Sequence, residues 1–318
     1  MTGFLLRRIA LMIPTLLGVA VLIFLMLRVL PGDIVEAKLR GDGAAVSAEL
    51  IATERARLGL DRSLPIQFVE WVSRAARGDL GVSMWTGQPV TSEIGLRIGL
   101  SLQVAVMAAL IATLIALPLG TLSAIYPGTP LDYVIRLVAA SGMAVPSFWF
   151  GMMLILMLLY LFNWAPPITY TPFWQDPLAN LNQLIWPALA VGYRYAAVAA
   201  RMVRSSLLEV LQEDYIRTAR AKGTPERDLI WRHAIRNGLL PTITIVGLEF
   251  AFLVGGLVVT EQVFNLNGIG KLLVQSVAHY DYVMIQGIVM VLALVFVLTN
   301  LVLDILYVWL DPRIEWSR

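Results

Sequence analysis

Apolar residues along this chain are gathered into long uninterrupted runs, not alternated with polar ones or spaced along one face of short helices. From Ile9 to Leu27 there is no charged residue, and a helix crossing a hydrocarbon core ~30 Å thick needs about 20 such positions. Six segments have this character: about 8–29, 98–125, 134–162, 183–204, 239–262 and 286–310. The pattern predicts an all-α polytopic membrane protein with six transmembrane helices. Pro14, Pro118, Pro146 and Pro187 fall inside these segments, where neighbouring groups re-satisfy the backbone that a proline frees. Each therefore reads as a kink or a helix start. Arg7 and Arg8 before the first run suggest a signal peptide, but the run exceeds the usual 7–15 residues. Val29-Leu30-Pro31-Gly32-Asp33 follows it in place of a small-residue cleavage pattern, so the first run reads as a retained helix.

The spans divide the chain into a terminus plus first helix (1–30), an insert (31–97), a bundle of five helices (98–310) and a tail (311–318). In the insert, acidic and basic residues nearly balance, as in a small folded helical unit. Ser47 is placed to cap a helix carrying Leu50, Glu54 and Leu58 and ended by Gly59. A second helix is expected from about Pro65, with Val69, Val72 and Ala76 on one face and Gly78 as its stop.

Charge placement predicts orientation, because short cytoplasmic loops are enriched in Lys and Arg. Arg7 and Arg8 precede the first span, Arg136 follows the short link between the second and third, and Arg204 opens a segment with Arg217, Arg220, Lys222, Arg227, Arg232 and Arg236. The stretch 163–182 has no Lys or Arg and 263–285 has only Lys271. Both termini and the 205–238 loop are thus expected in the cytoplasm, and the insert outside.

That loop has helical patterning of its own. Leu208, Leu211, Tyr215 and Ala219 form one apolar stripe opposite charged positions. Gly223 and Pro225 then end the helix, and Leu229, Ile230 and Ala234 belong to a second helical stretch leading to Pro241. Two readings fit a short amphipathic helix here: a docking element for a partner, or an interfacial helix resting on lipid headgroups.

The residues of the loop carry a resemblance. Asp214-Tyr-Ile-Arg-Thr-Ala-Arg-Ala-Lys-Gly223, followed by His233-Ala-Ile-Arg-Asn-Gly-Leu-Leu-Pro241, resembles the coupling-helix loop of binding-protein-dependent ABC importer permeases, in their dipeptide, oligopeptide and nickel branch. Leu58-Gly-Leu-Asp-Arg-Ser-Leu-Pro65, Gly78-Asp-Leu-Gly81, Val145-Pro-Ser-Phe-Trp149, Val263-Phe264 with Gly268-Ile-Gly270, and Leu310-Asp-Pro-Arg313 are similar to that branch too, so the resemblance runs nearly end to end. The wider superfamily's Glu-Ala-Ala is replaced here by Arg217-Thr218-Ala219. The resemblance implies a transport subunit of a bacterial or archaeal cytoplasmic membrane that moves peptides or similar small solutes inward. It implies a second homologous permease, two cytoplasmic ATPases that bind ATP and Mg, and an extracytoplasmic substrate-binding protein. It also implies an ATPase-docking surface at Tyr215, Ala219, Arg220, Ala221, Lys222 and Gly223. A stand-alone channel or secondary transporter is the alternative; it would show inverted repeats or broken helices, and no repeat is visible.

Composition narrows the chemistry further. Charged residues are 14% of the chain, against roughly a quarter in soluble domains. With no cysteine and two separated histidines, His233 and His279, thiolate metal sites and disulfides are excluded, and no metal site is expected. Gly268-Ile-Gly-Lys271 lacks the first glycine and the hydroxyl of a phosphate-binding loop. No catalytic site, no cofactor in this chain and no nucleic-acid partner are expected; contact with membrane lipid is. Two charges fall at mid-span, Arg194 in the fourth and Glu249 in the fifth, at similar depth. Such charges are costly in a bilayer and mark functional positions. They are candidates for the translocation pathway, and a structural ion pair is the competing reading.

Overall fold

The computed structural model describes residues 2–29, 35, 48–57 and 60–310. Twelve helices carry its architecture: α1 (Thr2–Val29), α2 (Ala48–Arg57), α3 (Leu64–Ala75), α4 (Val90–Ile125), α5 (Pro130–Ala144), α6 (Ser147–Phe162), α7 (Pro177–Val210), α8 (Asp214–Ala221), α9 (Ile235–Gly256), α10 (Val258–Val263), α11 (Ile269–Ala278) and α12 (Tyr282–Leu310). A short turn at Glu226–Asp228 and a π-helical turn at Leu229–Ala234 lead into α9. Among the described residues the sole β pairing is an isolated bridge between Val82 and Pro89.

Among the described residues, three helical stretches are long and apolar enough to cross a membrane by themselves: Leu6–Arg28, Val90–Ile125 and Tyr282–Leu306. The expected single span at 134–162 is instead two helices, α5 and α6, bent by 106° at their junction. Pro146 explains the break. It forces Val145 out of the helical region, to φ −84° and ψ 126°, and cannot donate a hydrogen bond to the preceding turn. Counted as one span, this pair makes a fourth. The segments 183–204 and 239–262 are helical, within α7 and α9–α10. Length and apolarity do not single them out, because α7 carries Arg194, Arg201 and Arg204 and the apolar described run in the other is Pro241–Phe250. The six-helix expectation is therefore met in helical character, and in count only as far as three or four spans.

Two compact units form. One holds the described residues up to Gly99 together with Asn267–Val297. Its core joins Ala20, Ile23, Phe24 and Leu27 of α1 to Trp71 of α3 and Ile285 of α12. Phe24 meets Phe68 edge-on at 5.3 Å and stacks near Trp71 at 6.2 Å. The buried face of α3 is thus Gln67 and Trp71, with Phe68 and Val72 beside them, while Val69 is exposed. The apolar face expected from Val69, Val72 and Ala76 is corrected accordingly. Gly78 does end that segment, at φ +83°; Ser47, Leu58 and Gly59, expected around α2, lie outside the described residues. A second core in this unit packs Val90 and Ile94 against Ile269, Leu272, Met284 and Ile288. Asp281, buried, ties the loop before α4 to it by accepting bonds from Ser83 Oγ, the Met84 amide (3.1 Å) and the Met284 amide (3.1 Å).

The other unit holds Leu100–Leu266 and the described residues from Leu298 onward. Its centre is α7, against which α5, α6 and α9 pack. Small residues let the helices approach closely. A Cβ on Gly192 would meet the Ala108 carbonyl at 2.9 Å, and one on Gly120 would meet the Ala200 carbonyl at 2.6 Å. Buried Ala190, Ala196, Ala197, Ala199 and Ala200 continue that surface along α7.

Candidate functional site

The amphipathic stripe expected at Leu208, Leu211, Tyr215 and Ala219 is divided between two helices. The chain leaves α7 after Val210, turns through Gln212 and Glu213, and restarts as α8, with Glu213 in extended conformation at its N-cap. Leu208, Leu211 and Ala219 pack beside a core of Ala124, Val203, Leu207, Ile216, Leu229 and Ala234. The residue that anchors α8 is Ile216, fully buried. Tyr215 is turned outward, 41% exposed, with its hydroxyl accepting a hydrogen bond from Asn237 Nδ2 at 2.9 Å. Tyr215 thus stands apart from the other members of the apolar stripe in which its spacing placed it. A phenol can stay wet at its tip and tether α8 to α9 at the same time, which an aliphatic chain cannot do.

The end of α8 is closed by two reverse bonds, from the Thr224 amide to the Ala219 carbonyl (3.2 Å) and from the Gly223 amide to the Arg220 carbonyl (3.0 Å). This is the Schellman arrangement, and it sets Gly223 at φ +81° with open space where a Cβ would stand. Arg220 donates from Nε and Nη2 to both carboxylate oxygens of Glu226, at 2.5 and 3.3 Å. The carboxylate raises the Arg220 guanidinium above its ordinary value, and the guanidinium holds the Glu226 carboxyl below its own. Both groups are exposed, so solvent screens the pair and its contribution to stability is small. Lys222 and Ala221 are exposed beside it. Tyr215, Arg220, Ala221, Lys222 and Gly223 are thus each exposed, and Ala219 is partly buried.

Arg194 of α7 is exposed and Glu249 of α9 is half-buried. Each lies in the other's electrostatic field, but no ion pair within 4 Å joins them among the described residues. The Arg194 guanidinium lies 5.8 Å from the Tyr195 ring centre.

Two buried polar contacts in this unit have no counterpart in the sequence reading. Asp132, in the first turn of α5, is buried and receives Arg204 of α7 through two bonds of 2.9 Å, Ser123 Oγ at 2.5 Å and the Gly128 amide at 3.0 Å. Glu261 in α10 is fully buried and accepts Ser101 Oγ at 2.6 Å. Sequence spacing could not pair Asp132 with a residue 72 positions away. The signal available was an aspartate in a short link just before a span, beside the Thr129-Pro130 start of a helix.

Comparison with known proteins bears on the whole chain. The model for the binding-protein-dependent transport system inner membrane component matches residues 116–316, and that for the N-terminal part of such membrane components matches residues 1–103. A glutathione transport system permease protein, GsiC, of Salmonella choleraesuis is 39% identical over 317 residues, covering 100% of both chains. A protein of the same name from Escherichia coli O6:H1 is 39% identical with the same coverage. A putative peptide transport system permease protein of Brucella suis is 38% identical, again over 100% of both. Among solved structures, a chain of an amino acid ABC transporter aligns with a TM-score of 0.55 and 14% identity, covering 68% of this chain and 94% of that one. That likeness concerns the fold alone.

Proposed function

This chain belongs to the family of binding-protein-dependent transport system inner membrane components, and we propose how it carries out that family's work. It is a permease subunit of an ABC importer, a membrane transport component and not an enzyme. Such a permease works with ATPase and binding-protein partners. In our reading it pairs with a second, homologous permease to line one pathway in the cytoplasmic membrane of a bacterial or archaeal cell, with both termini in the cytoplasm. Two ATPases bind ATP and Mg and receive α8, and an extracytoplasmic binding protein delivers solute. Closing of the ATPases on nucleotide moves the packed bundle as a rigid body, which opens the pathway outward. The solute is a peptide or a similar small molecule, the class named for its full-length relatives.

The observation that carries the docking assignment is the form of α8. A helix of eight residues is too short to persist in isolation. This one is held by Ile216 below, the Asn237 bond at the side and a Schellman turn at its end. It presents Tyr215, Arg220, Ala221, Lys222 and Gly223 outward, a rigid raised edge suited to a cleft in a partner.

The test is co-purification from native membrane in mild detergent of the wild type, Gly223→Ala and Gly223→Glu. Both substitutions carry the same backbone strain at positive φ, about 1 kcal/mol, and a Cβ there meets nothing within 4 Å. The ATPase should accompany the wild type and Gly223→Ala and be lost from Gly223→Glu. Equal loss from both variants would assign Gly223 to the turn alone, and retention by Gly223→Glu would move the docking surface elsewhere. A wild type that purifies without ATPase and still moves solute in liposomes would overturn the ATPase-coupled scheme.

A further inference from the structure

Three arginines converge where α5 and α7 lie side by side. Arg136 of α5 and Arg201 and Arg204 of α7 line a cleft of about 600 Å³, with Tyr133, Ser123 and Ser205. That volume is ordinary for a site that holds a small molecule or a headgroup. The charges in it are unequally matched. Arg204 is committed to buried Asp132 through both of its bonds. Arg136 lies 5.7 Å from the Tyr133 ring centre. Neither Arg136 nor Arg201 has a carboxylate within 4 Å among the described residues. The cleft therefore has two cations whose hydrogen-bonding forks are open to a ligand, plus the hydroxyls of Tyr133 and Ser205, the Ser123 hydroxyl being taken by Asp132.

The remaining wall is apolar. Leu137, Ala140 and Met143 continue along α5 from Arg136, and Ala200 faces them from α7. Val134, Leu137 and Val138 on the same helix are exposed. A cleft that is cationic at one end and apolar along its length matches an amphipathic anion, with its charge at the arginines and its hydrocarbon along α5. We infer that this cleft binds the headgroup of an anionic phospholipid. Guanidinium forks match phosphate oxygens in pairs. Basic pockets between transmembrane helices on the cytoplasmic side are where anionic headgroups bind, and the distribution of Lys and Arg predicts that side for this end of α5 and α7. The site is independent of the ATPase-docking reading, because no residue of α8 lines it.

The full complex, purified in a neutral detergent and stripped of lipid, is the material for the test. Thermal unfolding is followed while phosphatidylglycerol, phosphatidylcholine or inorganic phosphate is added, and native mass spectrometry counts retained lipid. Phosphatidylglycerol should raise the unfolding temperature by mass action, with phosphatidylcholine and inorganic phosphate far weaker. In the double variant Arg136→Gln/Arg201→Gln the phosphatidylglycerol concentration needed should rise on the order of thirtyfold, at about a factor of five per cation. Arg136→Lys/Arg201→Lys should keep most of the response, which separates lost charge from a misfolded variant. Equal responses to phosphatidylcholine and phosphatidylglycerol would overturn the inference, as would inorganic phosphate matching phosphatidylglycerol, which would make the ligand a free anion. A glutamine variant that loses a protein subunit while its lipid response is unchanged would also overturn it, by making these arginines a protein interface.

Discussion

Asp132 is buried at 1% side-chain exposure while Arg204, its partner, keeps 23%. A carboxylate so placed retains its charge only because every side of it is satisfied: two guanidinium bonds, a hydroxyl and a backbone amide. Taking two ions out of water costs several kcal/mol each, which their attraction offsets only with good geometry. Removing one partner strands the other, whereas removing both leaves a neutral site. Asp132→Leu and Arg204→Met should therefore each destabilise the chain by about 3–5 kcal/mol, and the double variant Asp132→Leu/Arg204→Met should recover most of that loss. Thermal unfolding in detergent, read as a double-mutant cycle, measures the coupling. Additive losses would mean that the bridge seen between α5 and α7 does not contribute in the membrane-extracted protein. Gly223 differs in kind: its role is conformational, since φ +81° is left-handed and nothing crowds the position.

At the scale of elements, α8 owes its existence to one apolar side chain more than to its own propensity. Ile216 is fully buried among Leu207, Leu229 and Ala234, and truncating a buried isoleucine to alanine typically costs 2–5 kcal/mol. Ile216→Ala should release α8 locally without unfolding the bundle. Hydrogen exchange of amides in 214–224 should rise by about thirtyfold or more while α7 keeps its protection. Unchanged exchange in that segment would show that the Asn237 bond and the Schellman turn suffice. The same element shows what the sequence could convey. Gly223 and Pro225 marked the end of the helix, and the apolar positions from Leu208 to Ala219 marked an amphipathic segment. The turn at Gln212 and Glu213 was hidden, because it falls at a helical spacing and so leaves the periodicity unbroken. That spacing put Tyr215 in the apolar stripe and passed over its neighbour Ile216, the residue that is buried. The break at Val145-Pro146 was hidden for the opposite reason: prolines are common in membrane helices and most only kink them. Long apolar runs, in contrast, needed no tertiary information, and α1, α4 and α12 stand where those runs are. The Asp132–Arg204 contact was illegible because it joins positions 72 residues apart, and no local pattern encodes a distant pair.

For the molecule as a transporter, the question is what Arg194 and Glu249 meet at mid-span. Arg194 is exposed on α7 and Glu249 half-buried on α9. An arginine facing lipid at the bilayer centre costs roughly 2.5–3.5 kcal/mol even on the most lenient scales, so a face carrying one belongs toward water or a protein partner. A structural ion pair would relieve that cost by direct contact, yet no such contact within 4 Å joins the two side chains among the described residues. On the pathway reading, which transport assays can test, they would be opposite charges at one depth of a water-filled path, suited to the carboxylate and ammonium ends of a peptide. A hydrogen bond to a charged group contributes about 1.5–3 kcal/mol, which is tenfold or more in transport efficiency when it is removed. Arg194→Gln and Glu249→Gln should each lower uptake of a zwitterionic peptide by about tenfold or more, in proteoliposomes containing the complete complex, with subunit assembly unchanged. The two readings separate in the double variant. Charges that act on the solute leave it at least as impaired as either single variant, whereas an internal ion pair restores function when both halves are removed. Normal uptake by both single variants would remove Arg194 and Glu249 from the pathway.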